Sequence, residues 1–318
     1  MNGWKNKADE GFDRWFADDK EAFRQKLDNL TAVLGGMNDG KGPDILALAE
    51  VETERAARLL MDSLNERIGD KAPPYRALLM KDPHGGRHIA TAILTRLPVE
   101  RDRTRLLGRG QRILEGHVRV NGHDLVVLAT HWTSRVSDKD GEHRARYADT
   151  IYGRFRAMYQ TNPAVDFLVC GDFNDNPDDP SVTEHLHAVA DPAAVRASAR
   201  GAEPELLDLF GKLWQETRRG GTEGTHYYRG KVFIFDQVVV SPGLLDNEGW
   251  GCATDTATIY IDPRMVSLKK HKEGGVVKPV RAPKPFGGPH EKVPLSERGA
   301  SDHFPVTVRL TVAGGPEH

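Results

Sequence analysis

Apolar residues recur along the chain in two rhythms. Over residues 20–37, Phe23, Leu27, Leu30 and Leu34 fall three or four positions apart before Gly35-Gly36, which predicts an amphipathic helix stopped by the glycines. "PDILALAEV" (43–51) is a short apolar run after Gly-Pro and predicts a buried strand. "ETERAARLLMDSLNERIG" (52–69) returns to the helical spacing and closes at Gly69. "HIATAILTRLPV" (88–99) predicts a strand ending at Pro98. In residues 113–132 two strand-like runs flank Asn121-Gly122, a strong tight-hairpin signal. A helix over 142–159, a buried strand over 164–173 and another over 231–242 follow. In "GASDHFPVTVRL" (299–310), Val306, Val308 and Leu310 alternate with polar residues, the pattern of a half-buried strand.

Strands thus alternate with helices, with a hairpin in the middle. That order predicts a mixed-sheet α/β protein with helices outside two packed sheets. No repeat and no linker divides the chain, so residues 1–318 are expected to form one domain. Residues 267–298 stand apart: heavy in Gly, Pro, Lys and Arg and without a period, they predict a long basic loop, either functional or a solvated insertion.

Composition narrows the classes. With 38% apolar and 28% charged residues the chain can build a sizeable core. A net charge of −2 argues against a strongly basic nucleic-acid binder, while leaving room for an enzyme that meets nucleic acid through a local patch. No run approaches the ~20 apolar residues of a membrane span, and residues 1–16 lack the apolar stretch of a signal peptide. The compartment stays open. Cys170 and Cys252 are too few for a cysteine-rich zinc module, and Cys170, inside "DFLVCGDF", is expected to be a buried thiol.

Several apolar runs end in ionisable residues: Glu50, His131, Asp172 with Asn174, and Asp302 with His303. Asp236 stands within the run "FIFDQVVVS". Each has a local explanation, such as a helix N-terminus for Glu50 or a turn for Asp172 and Asn174. Asp236 is the hardest to explain locally, because an unpaired carboxylate in an apolar run costs several kcal/mol. Ends of neighbouring strands converge on one crevice in an α/β sheet. Gathered there, three carboxylates, an amide and two imidazoles match the oxygen-rich site of a hard divalent cation with acid–base groups beside it. In "GDFN", Asp172 and Asn174 are two apart and would share one side of an extended chain, and Gly171 would let the backbone approach a ligand. The chemistry suggested is attack of water on phosphorus.

In order, "DILALAEVE", "AILTRLPV", "LATHWTSR", "GDFNDNP", "FDQVVVSPGLL" and "SDHFPV" resemble the motifs of the endonuclease/exonuclease/phosphatase superfamily, over residues 20–311. The resemblance implies a four-layer αββα sandwich of two packed mixed β-sheets with one active site at the sheet edge. It implies Glu50 as principal metal ligand and Asp302 as a second metal-side carboxylate. Asp172 would orient or deprotonate the attacking water, and Asn174 would hold it. His303 would contact the scissile phosphate with Asp236 behind it. His131 would be a second phosphate-facing imidazole and candidate general acid. Arg112, Arg135 and Arg144 are candidate phosphate contacts, with surface salt bridges the simpler reading for Arg112 and Arg144. The implied cofactor is Mg²⁺, with Mn²⁺ or Ca²⁺ as alternatives.

One departure stands out. Relatives begin with a strand carrying an Asn that supports the metal site, whereas Asn2 and Asn6 here lie in a polar context. "FDQVVVS" departs from the inositol-phosphatase pattern, and no hairpin with exposed apolar residues is expected, unlike membrane-acting sphingomyelinases. The expectation is a monomeric phosphodiesterase, a DNA or RNA nuclease among the candidates. A phosphomonoesterase and a non-catalytic binding relative remain as alternatives.

Overall fold

Along the strand that leads to His131, Leu125, Val127 and Ala129 enter one core while Val126 and Leu128 enter another. The adjacent strand repeats this, with Leu168 on one side and Phe167 and Val169 on the other. A strand buried on both faces reads as a continuous apolar run, and these strands lie in the middle of the molecule. The computed structural model describes residues 15–82, 89–246, 248–273 and 275–314. Asn2 and Asn6 lie outside them.

Helices α1 (Trp15–Asp18) and α2 (Lys20–Gly40) lead into β1 (Ile45–Val51), α3 (Glu54–Ile68), β2 (Ala77–Met80), β3 (Ala90–Thr95) and β4 (Arg105–Leu106). Next come β5 (Ile113–Val120), β6 (His123–His131), α4 (Glu142–Thr161), β7 (Asp166–Asp172), β8 (Ala188–Val189), α5 (Pro192–Ser198), β9 (Leu206–Asp208) and α6 (Gly211–Arg218). The chain finishes through β10 (His226–Tyr228), β11 (Lys231–Phe233), β12 (Asp236–Val240), β13 (Trp250–Ile259), β14 (Val266–Glu273), β15 (Val276–Pro283) and β16 (Val306–Val312). Seven strands form a mixed sheet in the order β4-β5-β6-β7-β12-β9-β8, in which β6–β7 and β8–β9 are parallel. β1-β3-β2 and β13-β16 pack on one face of it, and α4 covers the other. α2 and α3 cover the outer side of β1-β3-β2. The expected mixed α/β layering is present, except that the smaller sheets are antiparallel throughout.

Local chemistry explains the element ends. Thr53 caps α3 by accepting from the Ala56 N–H, and Gly69 ends it at φ +56°. Asn121 (φ +52°) and Gly122 (φ +88°) both adopt the left-handed conformation that a two-residue hairpin requires. α2 unwinds at Met37, with Asn38 and Asp39 left-handed, just past the glycine pair expected to stop it.

Three expectations are corrected. Residues 231–242 are not one strand: β11 pairs with β10, and β12 pairs with β7 and β9. At the break the Thr225 hydroxyl accepts from the Phe235 and Asp236 N–H groups, at 3.0 and 3.1 Å, replacing ladder partners. Residues 284–298 are irregular apart from one short turn, as expected, but the first part of the basic stretch 267–298 is not a loop, since β14 and β15 pair over eight residues as a hairpin. Prolines had hidden it, but Pro279 and Pro283 lie where the β15 edge tolerates a missing donor. That hairpin exposes Leu268 and Val277, so the expected absence of an exposed apolar hairpin does not hold.

The hairpin that ends at His131 is anchored by a buried charge cluster. Glu115, fully buried on β5, accepts from Arg154 of α4 at 2.6 and 2.8 Å, lies 3.1 Å from the Arg105 Nε, and pairs with His117 Nε2 at 3.1 Å. Burial raises the Glu115 pKa, but hydrogen bonds from His117 and Arg154 outweigh it and hold the group at about 2, below its ordinary 4.5. Its contribution to stability is therefore complete above about pH 4.5 and is lost as pH falls toward 2. Arg154→Met should destabilise the fold by about 3 kcal/mol in denaturant unfolding, because it strands a buried carboxylate. Combining it with Glu115→Gln should recover part of that loss and flatten the acid limb; full additivity would refute the clamp.

Candidate active site

Three neighbouring strands deliver the site. β6 and β7 are parallel with His131 opposite Asp172, and β12 is antiparallel with Asp236 opposite Asp172. Their functional ends therefore stand side by side. β1 lies over β6 and β7, and between Leu48 and Val51 its pairing with β3 slips. In that irregularity Glu50 adopts φ +56°, a conformation uncommon for a non-glycine residue and a place where backbone strain is stored at functional sites. Its carboxylate, 65% exposed, stands 4.0 Å from His131 Nε2, whose other neighbour is Asp172 Oδ2 at 3.7 Å.

The fourth contribution comes from the segment before β16. The Phe304 N–H donates to the Thr225 carbonyl at 2.8 Å, and His303 forms a backbone bridge with His226. This seats the His303 ring so that Nδ1 meets Asp236 Oδ2 at 2.7 Å. Burial lowers the His303 pKa, but Asp236 and Asp172 overcome it and carry it up to about 10, so the ring is an imidazolium at neutral pH. Asp236, now paired, stands at the first position of β12 and not inside a strand.

Asp172 and Asn174 do not share one side of an extended chain. Asn174 is left-handed, at φ +52°, and folds back. Its backbone N–H donates to Asp172 Oδ1 at 2.8 Å and its side-chain amide donates to Oδ2 at 3.0 Å and to the Trp132 carbonyl at 3.2 Å. Gly171 serves a different purpose from ligand approach: a Cβ there would meet the Thr130 carbonyl of β6 at 1.9 Å. Burial raises the Asp172 pKa to about 7; His303 and the Asn174 N–H oppose the rise, while Asp236 and Glu50 reinforce it. A carboxylate poised near neutrality is a competent general base.

The arginines lie behind this edge. Arg112 Nε and Nη2 donate to the carbonyls of His131 and Trp132, at 2.9 and 3.0 Å, and so brace the end of β6. Arg144 is buried against Asp138 and Asp175, not brought to the crevice. Arg135 donates to the Asn174 carbonyl at 2.8 Å, pairs with Asp175 and Asp179, and lies over the Phe235 ring. All three guanidinium groups are engaged with the protein.

Two residues passed unnoticed in the sequence. His226 lies in "EGTHYYRG", with no apolar run to mark it as a strand end. Lys26 sits on α2 and donates to the Ala300 carbonyl at 2.6 Å. Burial lowers its pKa against the opposing pull of Asp302 and Glu50, which places all three on the same side of the molecule. Glu50 and Asp302 are both exposed carboxylates. As hard oxygen donors open to water they fit a hard divalent cation, which takes one or two carboxylates and keeps several waters.

A sequence model described as "Endonuclease/Exonuclease/phosphatase family" matches residues 6–312. No curated protein sequence matches the chain. Among solved structures, truncated Caenorhabditis elegans TDP2 is 15% identical, with 94% of this chain and 94% of that one covered and a TM-score of 0.51. A double mutant of Staphylococcus aureus beta toxin with bound magnesium ions is 11% identical, covers 93% and 94%, and has a TM-score of 0.49. A mannosyl-6-phosphatase of Bacteroides thetaiotaomicron is 13% identical, with the same coverage and TM-score. The likeness to TDP2 is one of fold.

Asn174→Ala removes a donor to the charged form of Asp172 while keeping the backbone N–H. The Asp172 midpoint, followed by carbon-13 NMR, should move above about 7. A midpoint that falls or stays fixed would show that the amide does not hold the carboxylate.

Proposed function

The chain belongs to the endonuclease/exonuclease/phosphatase family of phosphate-ester hydrolases, and on that premise we propose that it is a metal-dependent phosphodiesterase whose substrate is a nucleic acid. The observation that carries this reading is the row His131, Asp172, Asp236 on adjacent strands, closed by His303 against Asp236. It puts a base near neutrality beside a charged imidazole.

In this reading Asp172, held by Asn174, takes a proton from water as the new oxygen–phosphorus bond forms. His303 stabilises the charge growing on a phosphoryl oxygen, and Asp236 keeps its ring oriented. His131, close to both Asp172 and Glu50, protonates the leaving oxygen as the ester bond breaks. A divalent cation held by Glu50 and Asp302 would neutralise phosphoryl charge. Mg²⁺ suits those carboxylates best.

The β14–β15 hairpin supports a polyanionic substrate. Val280 and His271 are buried on one face, whereas Leu268, Lys270 and Arg281 are exposed on the other. The Tyr227 hydroxyl donates to the Lys270 carbonyl at 2.8 Å, seating the hairpin beside β10. A cationic ribbon next to the crevice suits a phosphate backbone and would make cleavage salt-dependent.

The test compares a chromogenic diester, a chromogenic monoester and plasmid DNA with Mg²⁺, Mn²⁺, Ca²⁺ or EDTA. Diester or plasmid cleavage should require the metal, and Asp172→Asn or His303→Ala should each lower it about 10²- to 10⁴-fold. The rate should rise through about pH 7 as Asp172 loses its proton. Turnover indifferent to EDTA or to His303→Ala contradicts the reading. Monoester turnover alone assigns a phosphomonoesterase, and no turnover with any metal assigns a binding role.

A further inference from the structure

His226 has no part in the reaction just described, yet it faces the crevice. Its ring lies 4.3 Å from that of His303, centroid to centroid, with the planes 33° apart. One ligand atom each from His226, Asp302 and His303 lies within 4.8 Å of the other two. Both rings are oriented from behind. His226 Nδ1 is 3.0 Å from the Asp302 carbonyl, and His303 Nδ1 is 2.7 Å from Asp236. An imidazole whose Nδ1–H is spent on an oxygen presents Nε2 to a metal, which is how metal-bound histidines are held in place; at His303 the incoming ion has to displace the Nε2 proton.

The donor set is two imidazole nitrogens and one carboxylate. That set is softer than the oxygen donors of Glu50 and Asp302, and it selects Zn²⁺ or Co²⁺ over Mg²⁺. Three protein ligands leave a fourth tetrahedral position for water. With metal–nitrogen distances near 2.0 Å, ligand atoms around zinc stand about 3.3 Å apart. The three side chains therefore need to close by up to about 1.5 Å, and Asp302 is exposed and His226 only partly buried, so both have room to move.

We propose that His226, Asp302 and His303 form a transition-metal site that shares Asp302 with the hydrolytic cation. Occupancy takes the free nitrogen of His303 away from phosphate, so zinc inhibits hydrolysis supported by Mg²⁺. The inhibition rests on the role given to His303 above; the metal site does not.

Co²⁺ titrated into the EDTA-stripped full chain is the direct probe. One ion per chain should produce the visible absorption of a low-coordinate, nitrogen-ligated cobalt. Zn²⁺ should displace it, and a large excess of Mg²⁺ should not. His226→Ala should weaken Zn²⁺ binding at least about 100-fold, and Asp302→Asn should also weaken it, with unchanged thermal unfolding showing that the variants fold. An unaltered cobalt spectrum in His226→Ala, or displacement of cobalt by Mg²⁺ as readily as by Zn²⁺, would overturn the site. If the chain hydrolyses no phosphate ester, the proposed function fails and the cobalt spectrum still decides the metal site.

Discussion

The hydrogen bond between His303 Nδ1 and Asp236 Oδ2 joins the two packed layers at their active edge. Asp236 begins β12 in the seven-stranded sheet, and His303 precedes β16 in the sheet stacked against it. The bond satisfies a carboxylate that would otherwise be costly to cover, and it aims the imidazole at Asp172. It depends in turn on register. A slip of one residue between β7 and β12 would turn Asp236 to the other face, into the core lined by α4.

Charge balance follows from that geometry. Four carboxylates (Glu50, Asp172, Asp236 and Asp302) and three imidazoles (His131, His226 and His303) crowd one crevice, and they cannot all be ionised without cost. The structure resolves this by lifting Asp172 toward neutrality and keeping His303 charged. Asn174 contributes through a left-handed turn, and Arg112 contributes from behind by bracing the carbonyls of His131 and Trp132. The site is thus tuned from behind, by a buried amide and a half-buried guanidinium. The same crowding places the His226 ring against that of His303.

What the sequence disclosed follows from period and punctuation. The strands ending at Glu50, His131 and Asp172 are buried on one or both faces, so their apolar runs stood out, and the polar residue that ended each run marked the crevice. Asn121-Gly122 announced its hairpin because only such residues take up that turn readily. The remainder depends on tertiary context. β14–β15 carries lysines and prolines because it lies at the surface with one face in water, which erased its pattern. Asn174 and Gly171 depart from the extended-chain expectation because the backbone folds back at the one and approaches β6 closely at the other. His226 and Lys26 lie far in sequence from the motifs they face, and no local period reveals such a meeting.

In the proposed phosphodiester hydrolysis, Asp236 and His303 would act as one unit, the carboxylate holding the ring. A double-mutant cycle on kcat/KM for a chromogenic diester measures this directly, with Asp236→Asn, His303→Ala and the pair. The double variant should lose far less than the sum of the two single losses, because the carboxylate acts mainly through the ring and only secondarily on Asp172. Losses that simply add would contradict it.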